Sequence, residues 1–346
     1  MLVAFWLKKV GLGVIGLGTF GQNHVKVYAE HPEANLIAVC DVKESLAKST
    51  AEKYGVEHYV DYRDMLEDRR IEAVSVATPD FLHKKIVVDA AEAGKHILCE
   101  KPLATKVEDA ESMVEAAEKA GVTLMVDFHN RWNPPFALAK KSAERGELGE
   151  PLYAYLRLND TIYVPTEMLS WADRSSVLWF LGSHITDLAR WILDSEAEEV
   201  YAVSGRRVLA DMGVETPDYY QYTIRFKNGA TATLENSWIL PKTLPAIVDF
   251  AAEFVFTRGC LYMNPVRHGV LEKFTEDSWS YPDVMVGPVE VQGKLIGFAE
   301  EAISHFIECV ARGRTPISTG RDGLAVTRIL CAVEESAKTG RAVKVT

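Results

Sequence analysis

VGLGVIGLGTFGQNHVKVYAEHPEANLIAVCD, residues 10–41, decides the fold. Val10 to Ile15 reads as a short apolar strand diluted by glycine. Gly16-x-Gly18-x-x-Gly21 follows, then a helix, then a second strand from Leu36 to Cys40 that ends at Asp41. The glycines serve three physical ends, which are a tight turn, room for a pyrophosphate, and close packing of helix on strand. The helix N-terminus offers unpaired N–H groups and positive potential to phosphates. Asp41 is placed to accept hydrogen bonds from ribose hydroxyls. A second glycine pattern, Gly11-x-Gly13-x-x-Gly16, overlaps the first. The motif needs an acid about 20 residues beyond its end. Gly21 to Asp41 is 20 residues, whereas the same step from Gly16 lands on Leu36. The register beginning at Gly16 is therefore the nucleotide-binding one.

Outward from this stretch the pattern repeats. Glu44 to Tyr54 is helical in composition and stops at Gly55. Ile71 to Ala77 is β-branched and reads as a buried strand. Thr78-Pro79-Asp80 caps a helix over Phe81 to Ala93, and His96 to Cys99 is the next strand, ending in Glu100-Lys101-Pro102. Thr105 and Glu108 form a capping box for another helix, and Val122 to Phe128 is the following strand. Strands alternating with helices predict a doubly wound parallel sheet. Ligands of such sheets bind beyond the carboxyl ends of the strands. The fingerprint, Asp41, Thr78-Pro79 and Glu100-Lys101-Pro102 all fall there.

HNRWNPP, residues 129–135, breaks the alternation and sets a boundary between domains 1–128 and 129–346. Beyond a helix over Phe136 to Arg145, β-rich runs follow one another: Leu152 to Leu158, Val200 to Arg207, Tyr219 to Phe226, Ala230 to Ile239 and Ile247 to Thr257. Asn228-Gly229 reads as a hairpin turn. Consecutive strands predict a large, mostly antiparallel open sheet, making the second domain α+β beside an α/β Rossmann domain. Helices are expected over Ser183 to Leu193, Phe298 to Arg312 and Asp322 to Lys338. Tyr220, Tyr222, Ile224 and Phe226 share one face of their strand, and self-association through the sheet is plausible.

The chain has 346 residues and a net charge of −11, which argues against nucleic acid or anionic membrane as a partner. Its 5 cysteines, at 40, 99, 260, 309 and 331, are odd in number and form no C-x-x-C pair. A reduced, cytoplasmic protein with thiols mostly packed inside fits best. No window approaches the roughly 20 apolar residues of a membrane span. Met1 to Leu7 is apolar but lacks the charge order of a secretory signal. An extra strand, an ordered arm and a mis-called start codon all stay open for it.

Lys101 is the sharpest candidate for chemistry. It stands at a strand end on the nucleotide rim, before a proline that restricts its backbone. Hydride leaves an alcohol only as the hydroxyl proton is removed, and an ammonium beside that oxygen stabilises the developing alkoxide. On the surface, a lysine before a turn proline would need no such role. His184 opens the helix SHITDLARWIL, residues 183–193. Its core stripe is Ile185, Leu188, Ala189 and Ile192. His184, Asp187 and Trp191 form a second face about 110° away. A histidine and a carboxylate one turn apart suit a proton relay, while a partly solvated helix face is the plainer alternative. A metal is not expected, because no third ligand is evident. His129, Asn130, Arg131 and Trp132 could touch cofactor or substrate. Trp171, Tyr163 and Trp238 could stack on a sugar ring, although such aromatics are more often core. His305 reads as structural.

On GLGTFG, AVCD, ATPDFLH, AGKHILCEKPLA, FHNRWNP, LGSHITD and ISTGRDGLAV…SAKTGRAVKV, the chain resembles the Gfo/Idh/MocA oxidoreductases, the glucose–fructose oxidoreductase and inositol dehydrogenase family. The resemblance runs from Val10 nearly to the C-terminus. It implies a Rossmann domain followed by an α/β domain whose open sheet often builds homodimers or homotetramers. It also implies NAD or NADP as cofactor and hydride transfer at a hydroxyl of a sugar, cyclitol or related polyol. Lys101 corresponds to the lysine on the substrate hydroxyl and His184 to the acid/base, with Asp187 beside it as a third catalytic candidate. Cofactor contacts are implied at Gly16, Gly18, Thr19, Phe20 and Gly21, at Asp41, Thr78, Pro79 and His83, and at Glu100 and Lys101. The family pattern before the histidine is usually Asp-x-Gly-x-His, but Phe180 occupies the aspartate position here, and Ser175-Ser176 replace paired glycines. Substrate choice therefore does not transfer.

These residues point to an NAD(P)-dependent dehydrogenase of a small polyhydroxylated molecule. Asp41 favours NAD, since a carboxylate repels a 2′-phosphate, and Lys43 keeps NADP open. Two alternatives are a non-catalytic sensor of dinucleotide and sugar, motivated by Phe180, and a glycosidase that recycles bound NAD within each turnover.

Overall fold

The computed structural model describes residues 9–266, 273–274, 279–280, 289–292 and 294–346; Met1 to Leu7 lies outside them. The chain divides into two compact units. The first contains the residues up to Ala104, Glu108–Phe128 and Glu290–Leu324; the second contains Thr105–Val107, His129–Val289 and Ala325–Thr346.

In the first unit, β1 (Val10–Ile15), β2 (Ala34–Cys40), β3 (Glu57–Tyr59), β4 (Ala73–Val76), β5 (His96–Cys99) and β6 (Leu124–Val126) form one sheet in the order β3-β2-β1-β4-β5-β6. Every pairing is parallel. The helices α1 (Thr19–Glu30), α2 (Glu44–Tyr54), α3 (Tyr62–Leu66), α4 (His83–Glu92) and α5 (Val107–Ala120) connect the strands. β1 and β4 are buried along their whole length, as crossover helices on both faces of a parallel sheet require. The glycines of the overlapping pattern have a different role from the fingerprint. Gly11 and Gly13 lie inside β1, and a Cβ on Gly11 would fall 1.8 Å from the Arg70 carbonyl oxygen. They let the chain pack closely; the turn itself begins at Gly16.

In the second unit, α6 (Pro134–Glu144) precedes β7 (Pro151–Thr161), α7 (Ser183–Leu193), β8 (Ala197–Gly205), α8 (Val208–Asp211), β9 (Tyr219–Phe226), β10 (Thr231–Leu240), β11 (Val248–Phe256) and β12 (Gly259–Met263). Two long helices follow further along the chain, α9 (Phe298–Arg312) and α10 (Gly320–Thr339), before a last strand, Val343–Lys344. The sheet order is β12-β11-β7-β10-β9-β8 and then that last strand. It is antiparallel except for β7 and β10, which run parallel with Leu156 opposite Leu234. Asn228-Gly229 makes the hairpin between β9 and β10, with Gly229 at φ +88°. One face buries Leu156, Tyr222, Leu234, Trp238 and Phe254, and α7 packs against β7 and β10. The opposite face carries the polar links Arg157–Asp249 and Asn159–Glu235, together with exposed Tyr153, Tyr201 and Val203.

The boundary expected at 128/129 places everything from His129 onward in the second domain. The structure returns residues 290–324 to the first unit. The cause is amphipathic packing: α9 buries Ile303, Phe306 and Ile307 and packs on α1, β1 and β5. Arg312 Nη2 pairs with Glu33 at 2.8 Å, and Ser318 Oγ donates to the Val126 carbonyl at 2.6 Å. A long-range return of this kind leaves no local sequence signal.

Candidate active site

The nucleotide rim is assembled at the carboxyl ends of β1, β2, β4 and β5. Gly16 has φ +90°, a left-handed turn favouring glycine. Its N–H donates to the Cys40 carbonyl at 2.8 Å, tying the turn to β2. Gly18 stands before the first turn of α1, and a Cβ there would meet nothing within 4 Å. At Gly21 a Cβ would fall 1.9 Å from the Gly16 carbonyl oxygen, so only glycine lets α1 approach the turn. Thr19 and Phe20 form the start of α1. Asp41 follows β2; its carboxylate accepts from Leu17 N–H at 2.9 Å and Lys43 N–H at 2.8 Å. The acid thus also holds the glycine loop.

On the other side of the turn, Thr78 Oγ1 is buried without a hydrogen-bond partner. Pro79 precedes a 3-10 turn, Asp80–Leu82. His83 joins two loops: its Nε2 lies 2.9 Å from the Thr78 carbonyl and its Nδ1 lies 2.9 Å from the Pro102 carbonyl. The open cradle at Gly18, the left-handed turn at Gly16 and the unsatisfied Thr78 hydroxyl fit a dinucleotide. Gly16, Gly18, Asp41 and Thr78 are the residues with geometry suited to hold it.

Lys101 is only 6% exposed and its Nζ stands 5.7 Å from the centre of the Phe20 ring, a cation–π contact at the first turn of α1. The Lys101–Pro102 peptide is cis. Behind Lys101 is a buried network that the sequence does not reveal. His24 Nδ1 meets Ser75 Oγ at 2.8 Å and its Nε2 meets Glu100 Oε1 at 3.1 Å, while Tyr28 Oη meets the same Ser75 oxygen at 2.5 Å. Glu100 Oε2 in turn accepts from Lys101 N–H at 3.3 Å. The network anchors the end of β5. Its one trace in the sequence is a histidine on the buried side of α1. Burial pushes the Cys40 thiol up to about 12 and the Cys99 thiol well above its ordinary range, so neither strand-end cysteine is a nucleophile near neutrality.

His184 lies in the second unit. A π-helical turn over Leu178–Gly182 runs directly into α7, and the alternative of a partly solvated face does not describe His184 and Asp187, which are both buried. The cover is the 3-10 turn His129–Arg131, which grips α7 with three consecutive side chains. The His129 and His184 ring centres lie 4.8 Å apart. Asn130 Nδ2 lies 3.2 Å from His184 Nδ1. Arg131 clamps Asp187 through two bonds, Nε to Oδ2 at 2.8 Å and Nη2 to Oδ1 at 2.5 Å, with its guanidinium 5.4 Å from the Trp191 ring centre. Asp187 is therefore engaged by Arg131. The contact to His184 Nδ1 comes from Asn130, which the sequence marks only as a general cofactor or substrate contact. Phe180 is packed among aromatics, 6.3 Å from the Trp171 ring centre and 5.7 Å from that of Trp238.

Two parts of the chain match known family models. Residues 10–128 match the model of the oxidoreductase family with an NAD-binding Rossmann fold, and residues 136–262 match the GFO/IDH/MocA C-terminal domain. The chain is 30% identical over 342 residues to scyllo-inositol 2-dehydrogenase (NAD(+)) of Bacillus subtilis, covering 97% of this chain and 96% of that protein. It is 29% identical over 335 residues to myo-inositol 2-dehydrogenase of Thermotoga maritima, covering 96% and 98% respectively. A solved levoglucosan dehydrogenase complex with NADH and levoglucosan superposes with a TM-score of 0.83 at 28% identity, covering 98% of this chain and 100% of that one.

Proposed function

The chain belongs to the Gfo/Idh/MocA oxidoreductase family, and from that premise we propose how its own residues carry the reaction. It is an NAD-dependent oxidoreductase acting on CH–OH groups of a polyol or sugar. That activity displaces the sensor and the NAD-recycling glycosidase as readings of this chain. The substrate is a small ring bearing several hydroxyls, a cyclitol or a sugar. NAD, when bound, supplies the hydride acceptor or donor. Lys101 holds the reacting hydroxyl and stabilises negative charge on its oxygen. His184 takes the hydroxyl proton during oxidation and returns it during reduction. The C–H hydrogen leaves with its electron pair to the nicotinamide, so one proton and one hydride account for the two hydrogens lost. Asp187, held by Arg131, fixes α7 and hence the position of His184. Asp41 selects NAD over NADP by charge.

The observation that carries this reading is Lys101: a lysine nine-tenths buried, held over Phe20 beside the open glycine cradle. Lys101→Ala should abolish turnover and leave the NAD dissociation constant within about twofold, measured by calorimetry on the same protein. Unchanged turnover would remove Lys101 from the mechanism.

Two further readings rest on the outer surfaces and thiols. The exposed Tyr153, Tyr201 and Val203 on the solvent face of the second sheet suit a homodimer or homotetramer contact. All 5 cysteines are free, and most are buried, which suits the reducing cytoplasm. No helix among the described residues is long and apolar enough to cross a membrane.

A further inference from the structure

We infer that Asn130 sets the tautomer of His184, presenting its amide oxygen to Nδ1–H so that Nε2 is left as the proton-accepting atom. The inference rests on His184 being the acid/base. Asn130 is buried, its amide nitrogen is placed 3.2 Å from His184 Nδ1, and its Oδ1 is buried without a partner. The two ends of an amide differ by a 180° turn that leaves the heavy-atom positions almost unchanged, so chemistry decides which end faces the ring.

The two orientations make opposite predictions. If Nδ2–H donates to Nδ1, the neutral ring carries its proton on Nε2. It then has no lone pair there for a hydroxyl proton, and forming imidazolium would set two donors against each other. If Oδ1 accepts from Nδ1–H, Nε2 is the base, and the same hydrogen bond persists when the ring is protonated. Only the second orientation serves both protonation states of a reversible dehydrogenase. The carboxylate of Asp187, one turn further on, is engaged by Arg131, and Phe180, one turn before His184, has no polar side-chain atom.

An amide acceptor also has an electrostatic consequence. A carboxylate in its place would favour the charged ring, whereas a neutral amide orients the histidine without that bias. The other ionisable groups on elements packed against α7 are His129 on the ring, Arg131 paired with Asp187, Tyr153, Tyr155, Arg157 and Asp160 of β7, Glu235 of β10, and Lys140, Lys141 and Glu144 of α6, with Lys140 pairing to Asp194 just past the C-terminus of the helix. All of these are left in place by a substitution at 130.

The test uses the full chain with NAD. Histidine nitrogen NMR on protein labelled only in histidine, with His184 assigned from the signal lost in His184→Gln, reads the tautomer without turnover. The Nδ1–H form is expected; the Nε2–H form would overturn the inference. Asn130→Asp should move the His184 limb of the kcat/KM–pH profile upward by about 1–3 units. A limb that stays in place would also overturn it. Asn130→Leu, which keeps the bulk but removes the acceptor, should lower kcat about tenfold or more and leave KM for NAD unchanged. Should His184→Ala cost less than about fivefold in kcat, the acid/base reading itself falls; should it cost much more while the tautomer and the pH limb disagree with expectation, only the role of Asn130 falls.

Discussion

The roles proposed for Lys101 and His184 rest on different physics. Lys101 is a buried cation whose Nζ stands 5.7 Å from the centre of the Phe20 ring. His184 is a buried ring whose Nδ1 has a fixed partner and whose flank is covered by His129. If His184 moves the proton, His184→Ala lowers kcat roughly 10²- to 10⁴-fold, as loss of general acid–base catalysis does. Steady-state rates at saturating NAD check this, and a loss under about fivefold would return His184 to a packing role. At this scale the sequence is informative where a residue type at one position has few uses. Glycine at 16 and 21 is such a case: Gly16 takes the left-handed turn and Gly21 lets α1 approach it closely. It is uninformative where a side chain's use depends on a remote partner. Asn130 and His184 are 54 residues apart, and no local pattern joins them.

At the scale of elements, the turn His129–Arg131 is the part that most changes the account of the site. In the sequence it marks a break between domains; in the fold it is a clamp on α7. Its strongest bond is the bidentate Arg131–Asp187 pair, with both side chains almost fully buried. Removing one member leaves a buried charge without its counterion, which typically costs about 3–5 kcal/mol. Arg131→Ala should therefore lower the unfolding free energy by that much in denaturant titrations and reduce activity without touching NAD affinity. A loss under about 1 kcal/mol would show that water reaches Asp187 once the guanidinium is gone. The helix SHITDLARWIL and the strand YYQYTIRF are both legible to the residue, because their apolar periods of 3.6 and 2 differ plainly. The parallel pairing of β7 with β10 is not legible: which strands become neighbours is decided by packing across the sheet, and the connecting sequence carries no mark of it.

Across the whole molecule, three histidines of the first unit respond to acid in one direction. Burial holds His31, His96 and His305 below the ordinary histidine value. In the unfolded chain they take up protons near pH 6.5, while in the fold they stay neutral to lower pH. The unfolded state then binds more protons, so stability is fully present above about pH 6.5 and declines as the pH falls below it. Denaturant midpoints should be lower at pH 5.5 than at 7.5; equal midpoints would mean that these rings ionise as readily in the fold as outside it. The two-unit plan is readable from the alternation of strands and helices before residue 128 and its loss afterwards. The return of residues 290–324 to the first unit is not, because α9 has the pattern of any amphipathic helix and nothing in it names the surface it covers.

The most direct measurement is the absorbance of reduced nicotinamide when the purified chain is given NAD and, in turn, inositols, aldoses, uronates and anhydrosugars. The account predicts reduction of NAD with at least one of these polyols, stronger with NAD than with NADP, and lost in Lys101→Ala. Silence across the whole panel, with NAD binding verified by calorimetry, would contradict it.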